Sequence, residues 1–294
     1  MQVRIFHLQN LSALHVGTGQ GVGIVDLPIA RSKATNLPVV PGSGLKGILR
    51  DELQLKNQLD TQQVKALFGP DSSAEDSHAG AIAFGDANLL LLPIRSFSGT
   101  IAYATCPYIL RQYQRSLGLS LKIPTLDVQQ AGVVEGSALF VGRTSEIALE
   151  DLDIQANYND TIQQWADVIT QNIYPEGVAQ ADDWREQVSK RFVILPDDLF
   201  SFLADTATEV RIRIRIDRDT RIVKDGALWS EENLPAETVL WGIMGIADAR
   251  DRSGLKANDL AELLPKDEMM IQVGGKHTVG RGLCRLLIAQ NQQV

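Results

Sequence analysis

The sequence predicts a fold of the α+β class, because patterns typical of strands and patterns typical of helices occur in one chain of 294 residues. Polar and apolar residues alternate with a period of two over 3–8 and 210–216, which is typical of β-strands. Apolar residues recur at intervals of three and four over 45–53, which is typical of a helix packed on a core. The length allows one elaborated domain or two small ones.

The elements follow in chain order from a first strand at 3–8. Glycine then recurs at every second position from Gly17 to Gly23, which allows the backbone to approach a ligand closely. The turn at 39–44 leads into a helix for which Ser43 is the predicted N-cap. Further helices are predicted at 61–68, 107–116, 161–173, 197–204 and 260–264, and further strands at 81–84, 89–94, 138–141, 147–149, 192–195, 269–273 and 286–289.

The clearest strand covers residues 210–216. Its alternation places Arg211, Arg213 and Arg215 on one face and three isoleucines on the other. Residues 217–220 predict a hairpin turn, and 221–224 predict the returning strand. A basic ribbon of this kind indicates contact with nucleic acid or an acidic partner, although a solvated face with cross-strand ion pairs would give the same pattern.

Composition excludes several classes of protein. With 44% hydrophobic and 22% charged residues, the chain matches ordinary globular proteins. The longest leucine run, 89–92, ends at Pro93, far short of the roughly 20 apolar residues of a membrane span. The N-terminus lacks an apolar signal segment, and Cys106 and Cys284 show no metal-ligand spacing. We therefore expect a cytoplasmic protein with free thiols and no membrane partner.

The charges are unevenly distributed. A net charge of −8 by itself argues against nucleic acid, because affinity for phosphates comes from Lys and Arg. Segments 15–50, 211–224 and 274–285, however, hold 13 of the 28 Lys and Arg residues and only three of the 36 Asp and Glu residues. An acidic body with a basic track is compatible with RNA binding inside a larger assembly.

The glycine-rich segments do not match the common nucleotide-binding motifs. No G-x-G-x-x-G occurs in 17–23, and Ile48 occupies the position that a phosphate-binding loop gives to lysine. The loop at 274–282 nevertheless combines backbone amides with cations, as phosphate binding requires. A tight connection between two strands would explain the same glycines.

Several separate segments resemble the RAMP superfamily of CRISPR proteins. The C-terminal loop GGKHTVGRG resembles the glycine-rich loop of that superfamily. The segments HVGTGQG, VDLPIAR, LPVVPGSGLKGILRDEL and GALWSEENLP resemble in particular the Cas-seven-like backbone subunit of type III-B (Cmr) effector complexes. Each segment is a weak signal alone, whereas the blocks at 15–52, 226–235 and 274–282 are specific together.

The resemblance implies a fold and an assembly. It implies a modified ferredoxin-like or RRM-like palm, residues 1–205 and 241–294, with a β-hairpin thumb at 206–240. It also implies that copies of the chain stack in a helical filament along a guide (CRISPR) RNA, together with other effector subunits. Single-stranded target RNA pairs with the guide, and it is cut at regular intervals beside each thumb.

Asp26 matches the catalytic aspartate of the family. RNA carries its own nucleophile, the 2′-OH, so a splayed nucleotide held in line is cleaved once that hydroxyl is deprotonated. Asp26 is expected to act as general base or as ligand of Mg²⁺ or a similar divalent cation, which would make the protein a metal-dependent, RNA-guided endoribonuclease. The expected products are a 2′,3′-cyclic phosphate and a 5′-OH. From the residues alone, Asp26 could instead cap a turn before Pro28.

Further residues are candidates for the same site. His15 and Glu231 are candidates for proton transfer, although a strand-end histidine and a packed acid explain them nearly as well. Solvated helix charge is the alternative for Lys46 and Arg50, and core packing is the alternative for Trp229. The predicted RNA-binding residues are Ser43, Lys46, Arg50, Arg215, Trp229, Gly275, Lys276, Thr278 and Arg281.

Two other functions fit the sequence. The chain could be a structural RNA-binding filament subunit without catalytic activity. It could also be a metabolic enzyme whose glycine-rich loops hold a nucleotide or a phosphate.

Overall fold

The structure is a computed structural model that describes residues 1–19, 23–56, 58–70 and 77–289. Its helices are α1 (Gly42–Leu55), α2 (Thr61–Phe68), α3 (Pro107–Leu117), α4 (Asp160–Ile173), α5 (Ala181–Ser189), α6 (Asp197–Thr206) and α7 (Ala257–Glu262). Its strands are β1 (Gln2–Asn10), β2 (Val39–Val40), β3 (Ile82–Phe84), β4 (Ala87–Arg95), β5 (Ile101–Thr105), β6 (Gln130–Val133), β7 (Glu146–Leu149), β8 (Leu152–Tyr158), β9 (Phe192–Ile194), β10 (Glu209–Ile216), β11 (Val223–Asn233), β12 (Val239–Ile246), β13 (Met269–Gln272) and β14 (Leu283–Ile288). Helices and strands share the chain, which confirms the predicted α+β class.

Within the described residues, twelve strands form one mixed sheet. The order is β13-β14-β1-β12-β4-β5-β9-β6-β8-β7, with β2 beside β4 and β3 beside β12. The pairs β5–β9 and β6–β8 are parallel, and the other pairs are antiparallel. β1 lies between β12 and β14, and it is buried along most of its length.

Apolar side chains pack in two clusters. One cluster joins β4, β5 and β9 to α3 and α4, with Tyr113 and Trp165 among its fully buried side chains. The other joins β1 and β12 to α1, α2 and α7. Helix α1 contributes Leu45, Leu49 and Leu53, whose spacing of four places them on one face. No helix in the described ranges is long and apolar enough to cross a membrane.

β10 and β11 form a separate two-stranded sheet, called the hairpin below. Its predicted turn is confirmed, because the Asp217 carboxylate accepts hydrogen bonds from the backbone amides of Asp219 and Thr220. The returning strand is much longer than the predicted 221–224, since β11 continues to Asn233. Trp229, Ser230 and Glu231 therefore lie on a strand at the base of the hairpin.

Two local predictions are wrong for tertiary reasons. Ser43 does not cap α1; the helix begins at Gly42 after Pro41, and the Gly42 amide donates instead to the carboxylate of the distant Asp86, at 2.8 Å. Residues 138–141 form no strand, since only Phe140 makes an isolated bridge, to Ile147. The sequence reasoning also missed β2, β5, β6, β8, β12 and α5. Of these, β2, β5 and β6 are only two, five and four residues long, which gives a local pattern little to show.

Candidate functional site

Asp26 is joined to Ser230 at the base of the hairpin. The Ser230 amide and hydroxyl each donate to Asp26 Oδ2 at 2.8 Å. The Asp26 amide in turn donates to Ser230 Oγ at 3.0 Å. An isolated antiparallel bridge between Gly17 and Ile29 joins the chain before Asp26 to the chain after it. Asp26 is therefore attached to β11 by its side chain and its backbone.

These contacts determine the charge state of Asp26. The side chain is exposed. The hydrogen bonds from the Ser230 amide and then the Ser230 hydroxyl lower the pKa of the Asp26 carboxyl below its ordinary value. Because hydrogen bonds to the charged form favour it, Asp26 presents an ionised carboxylate to solvent. Both bonds from Ser230 end on Oδ2, so Ser230 leaves Oδ1 unengaged.

The backbone beside Asp26 extends the hairpin by a short parallel segment. Leu27 donates to the Ser230 carbonyl at 3.1 Å, and Glu232 donates to the Leu27 carbonyl at 3.0 Å. Residues that face each other across paired strands share one side of the sheet. Ser230 faces Ile212, whereas Trp229 faces Arg213. Asp26 thus lies on the isoleucine side of the hairpin base.

The arginine side of the hairpin base carries a different set of residues. Arg211 faces Glu231 across the strands, and Arg211 is ion-paired with Glu209 at 2.5 Å. The isoleucine side stays uncovered by the described residues, since Ile212 and Ile216 are 72% and 56% exposed. The predicted basic ribbon and the predicted reactive acid are therefore on opposite sides of one hairpin.

Glu231, which is predicted to take part in proton transfer, is buried. Its Oε1 accepts from Trp229 Nε1 at 2.7 Å and from Lys276 Nζ at 3.0 Å. Burial alone raises the pKa of Glu231, but the bonds from Trp229 and Lys276 outweigh burial and bring the pKa below its ordinary value. Glu231 is a charged anchor between the hairpin and the loop at 274–282, and solvent does not reach it.

His15 is also buried, and it faces the hairpin. Its Nδ1 lies 2.7 Å from the Glu232 carbonyl oxygen. Because a carbonyl only accepts, Nδ1 carries the proton. The other nitrogen, Nε2, is covered by Gly17, where an added Cβ would lie 2.7 Å from it. His15 Nδ1 is therefore engaged by the hairpin, and proton transfer by His15 stays a prediction.

Glu232 links several backbone segments beneath Asp26. Its carboxylate pairs with Arg31 at 2.6 Å and accepts from the Ile29 amide at 3.1 Å. It also accepts from the hydroxyl of Thr208 at 2.9 Å. Sequence reasoning gave Glu232 and Ser230 no specific partner, and their neighbours are distant in sequence.

The glycine-rich loop at 274–282 divides into an exposed and a buried part. Gly275 and Thr278 are exposed, and Lys276 uses one of its three ammonium donors on Glu231. Arg281 is only 4% exposed, and its Nε has no hydrogen-bond partner among the described residues. Burial, and then the nearby Arg211, lower the pKa of Arg281. Arg281 therefore faces the hairpin base and not solvent.

Lys46 lies at a separate, open cavity of about 720 Å³. Its ammonium donates to the Ile82 carbonyl at 3.0 Å. Burial, and to a smaller extent the positive charges of Arg50 and Arg250, lower the pKa of Lys46. The lining residues include Ser43, Lys46, His78 and Arg250. Among the described residues, the segments 68–70, 77–84 and 245–250 line this cavity, and the loop at 274–282 does not. Arg250 was not predicted, since its own segment carries no distinctive motif.

A metal ion bound beside Asp26 would have few protein ligands. Among the described residues, no three His, Cys, Asp or Glu side chains are grouped closely enough to hold a metal ion. Mg²⁺ is commonly bound through one or two carboxylates, with water and substrate phosphates as the other ligands. The Asp26 Oδ1, which Ser230 leaves unengaged, fits that arrangement as a single protein ligand.

Comparison with known proteins confirms the predicted resemblance. A profile described as the RAMP superfamily matches residues 7–285. The chain is 31% identical over 296 residues to the CRISPR system Cmr endoribonuclease Cmr4 of Pyrococcus furiosus, covering 99% of this chain and 97% of that relative. It is 24% identical to the CRISPR system CMR subunit Cmr4 of Saccharolobus solfataricus, covering 97% and 96% of the two chains.

Solved structures share the fold. The crystal structure of oligomeric Cmr4 from Pyrococcus furiosus superposes with a TM-score of 0.74 at 25% identity and covers all of both chains. A chain in the cryo-EM structure of the type III-B Cmr-beta complex bound to cognate target RNA also gives a TM-score of 0.74. At 20% identity, with 98% of this chain and 97% of that chain covered, the second similarity shows a common fold.

Proposed function

The chain belongs to the RAMP superfamily, and from that premise we propose that it is an RNA-binding backbone subunit of a type III-B CRISPR effector complex. In this proposal it binds guide RNA and cleaves complementary single-stranded target RNA with Asp26. Residues 206–240 form the thumb on a modified ferredoxin-like palm, and copies of the chain stack in a filament with other effector subunits. The name of the relative from Pyrococcus furiosus, an endoribonuclease, supports this assignment.

One observation carries the catalytic part of the proposal. Asp26 is an exposed, ionised carboxylate that is fixed to the base of the hairpin through Ser230. An exposed acid on an unanchored loop would lose orientation, and misplacement by about 1 Å can cost on the order of 10²-fold in rate. The other predicted acid, Glu231, is buried and already bonded.

The chemistry is a transesterification within the target RNA. The 2′-oxygen attacks the adjacent phosphorus, the bond from phosphorus to the 5′-oxygen breaks, and a 2′,3′-cyclic phosphate and a 5′-OH result. Asp26 orients the 2′-OH by accepting its hydrogen bond, the 2′-OH proton passes to water, and the leaving 5′-oxygen takes a proton from water. Because its pKa is lowered, Asp26 is a weak base. Its main contribution is therefore to orient the 2′-OH and to supply negative charge, and not to remove the proton.

A divalent cation such as Mg²⁺ would be held by Asp26 together with RNA phosphates. When bound, it would supply positive charge to the phosphate and lower the pKa of the 2′-OH. Asp26 is suited to this because it is ionised, because Ser230 bonds only its Oδ2, and because carboxylate oxygens are ligands that Mg²⁺ prefers.

The RNA contacts are proposed from exposure and charge. Lys46, Arg50 and Arg250 place three cations near one cavity, which suits the backbone of the guide. Gly275 and Thr278 are exposed, and the remaining ammonium donors of Lys276 suit a further phosphate, whereas the Gly275 amide itself donates to the His15 carbonyl. Arg215 and Trp229 extend the RNA-binding surface along the hairpin. The buried residues His15, Glu231 and Arg281 pack behind that surface and stabilise it.

The test is Asp26→Ala in the complex assembled with guide RNA. We expect target cleavage to fall by at least about 100-fold, with guide binding unchanged, because the reactive carboxylate is lost and the hairpin remains. Asp26→Asn keeps the size of the side chain and removes the charge, so it should be nearly as inactive. Asp153→Ala, an exposed acid on β8, is the matched control and should cut normally.

The same experiment separates the alternative function. Normal cutting by Asp26→Ala would show that this acid is not catalytic and would leave the chain as a structural RNA-binding subunit. Loss of guide binding in Asp26→Ala would show that the variant disturbs the fold, and Asp26→Asn would then decide the question.

A further inference from the structure

We propose that Ser230 is a positioning residue that holds Asp26 by Oδ2 and so assigns Oδ1 as the oxygen that acts on the target RNA. This inference rests on the proposed function and adds a residue and an atom to it. Ser230 touches neither the RNA nor the reacting atoms in this proposal. It acts through Asp26 alone.

The geometry between the two residues is reciprocal. Ser230 donates twice to Asp26 Oδ2, from its amide and from its hydroxyl, and each bond is 2.8 Å long. The Ser230 hydroxyl oxygen also accepts from the Asp26 amide at 3.0 Å. One hydroxyl therefore fixes the backbone and the carboxylate of Asp26 at the same time. A carboxylate that accepts two bonds on one oxygen cannot rotate without losing both.

The strand that carries Ser230 is itself held on both sides. Glu231 is tied to Lys276 and Trp229, and Glu232 is tied to Arg31 and to the Ile29 amide. Catalytic groups require support that is locked by packing and hydrogen bonds. The two acids that flank Ser230 thus stabilise the position from which it orients Asp26.

The chemistry of the hydroxyl limits which residues can replace serine. Alanine removes one donor and one acceptor and leaves the backbone donor. Threonine retains the hydroxyl, and its β-branched side chain is favoured in strands. Ser230→Thr should therefore preserve the contact that Ser230→Ala removes.

The test compares these variants in the complex assembled with guide RNA, with an end-labelled complementary RNA as substrate. We expect Ser230→Ala to cut about 10- to 100-fold more slowly and to retain guide binding, and Ser230→Thr to cut at nearly the wild-type rate. In the Asp26→Ala background, Ser230→Ala should change nothing further, because effects of residues that act as a unit are not additive. Ser145→Ala, which removes another exposed serine hydrogen bond, is the matched control.

A second measurement does not depend on cleavage. Titration of the Asp26 carboxyl by NMR should show its pKa moving up towards the ordinary value in Ser230→Ala and staying low in Ser230→Thr. The inference is overturned if Ser230→Ala cuts normally and titrates like wild type while Asp26→Ala is inactive. If Asp26→Ala also cuts normally, the proposed catalytic function fails, and the role of Ser230 in it fails as well.

Discussion

At the scale of single residues, the burial of His7 makes the stability of the protein depend on pH. His7 lies on β1 and is 2% exposed. Its Nε2 is 2.8 Å from the Tyr113 hydroxyl, and the two rings meet edge to face. Burial, and then the positive charge of Arg285, lower the pKa of His7 from 6.5 to about 4.

The sign of the effect follows from proton binding. Between pH 6.5 and 4 the unfolded chain binds a proton at His7 that the folded chain does not, so the free energy of unfolding falls as the pH falls. We expect wild type to lose about 2 kcal/mol more than His7→Gln between pH 7 and pH 5, as measured by urea unfolding. His78→Gln should decline like wild type. Parallel curves for wild type and His7→Gln would exclude the effect.

At the scale of elements, the loop at 274–282 connects β13 to β14 by means of glycines with different tasks. Gly280 and Gly282 have φ values of +75° and +74°, a region that L-residues rarely adopt. A Cβ on Gly280 would meet open space, whereas a Cβ on Gly282 would lie 1.9 Å from the Val273 carbonyl oxygen. The first position requires only the backbone angle, and the second also requires the absence of a side chain.

These two glycines form a matched pair of variants. Gly280→Ala should cost about 1 kcal/mol of unfolding free energy, from backbone strain alone. Gly282→Ala should lower the free energy of unfolding by about 2–4 kcal/mol, because the Val273 carbonyl must also move away from the added Cβ. Urea unfolding of both variants measures the difference. Equal losses would show that the loop relaxes around the added carbon.

The hairpin shows what a local pattern can and cannot predict. Alternation over 210–216 correctly predicted β10 and its turn. It did not predict that β11 extends to Asn233, because the sequence there mixes glycine, aromatic and acidic residues that do not alternate. The pairing of Glu231 with Lys276 and of Glu232 with Arg31 fixes that part of the strand.

At the scale of the whole molecule, the net charge of −8 coexists with cations concentrated on a few segments. Some exposed arginines are ion-paired with acids, both on the hairpin and elsewhere. Arg95 and Arg111 are ion-paired with nearby acids, and Arg211 is paired with Glu209. Arg215 is exposed near the tip of the hairpin, where a phosphate backbone can reach it.

Salt dependence tests whether the hairpin arginines bind RNA. Binding of single-stranded RNA weakens with salt, and each phosphate contact adds roughly 0.7 to the slope of log K against log salt. Arg213→Ala combined with Arg215→Ala should therefore reduce the slope by about 1.4. The control pair, Arg95→Ala with Arg111→Ala, should leave the slope unchanged. Equal slopes for both pairs would place the RNA elsewhere.

The sequence by itself determined the fold class and the hairpin, and it singled out Asp26 as the candidate reactive residue. Strand alternation and helical spacing are local properties of the chain, and the family blocks at 15–52, 226–235 and 274–282 are carried by short runs of residues. Each of these features is therefore readable without knowing what lies beside it in space.

Only the tertiary structure decided how the site is assembled. Ser230 is 204 residues from Asp26, and Lys276 is 45 residues from Glu231. The burial of His15 and Glu231, and the capping of α1 by Asp86 in place of Ser43, also depend on distant segments. Hydrogen bonding and burial between such segments are set by the packing of the sheet and the hairpin, and no local pattern encodes them.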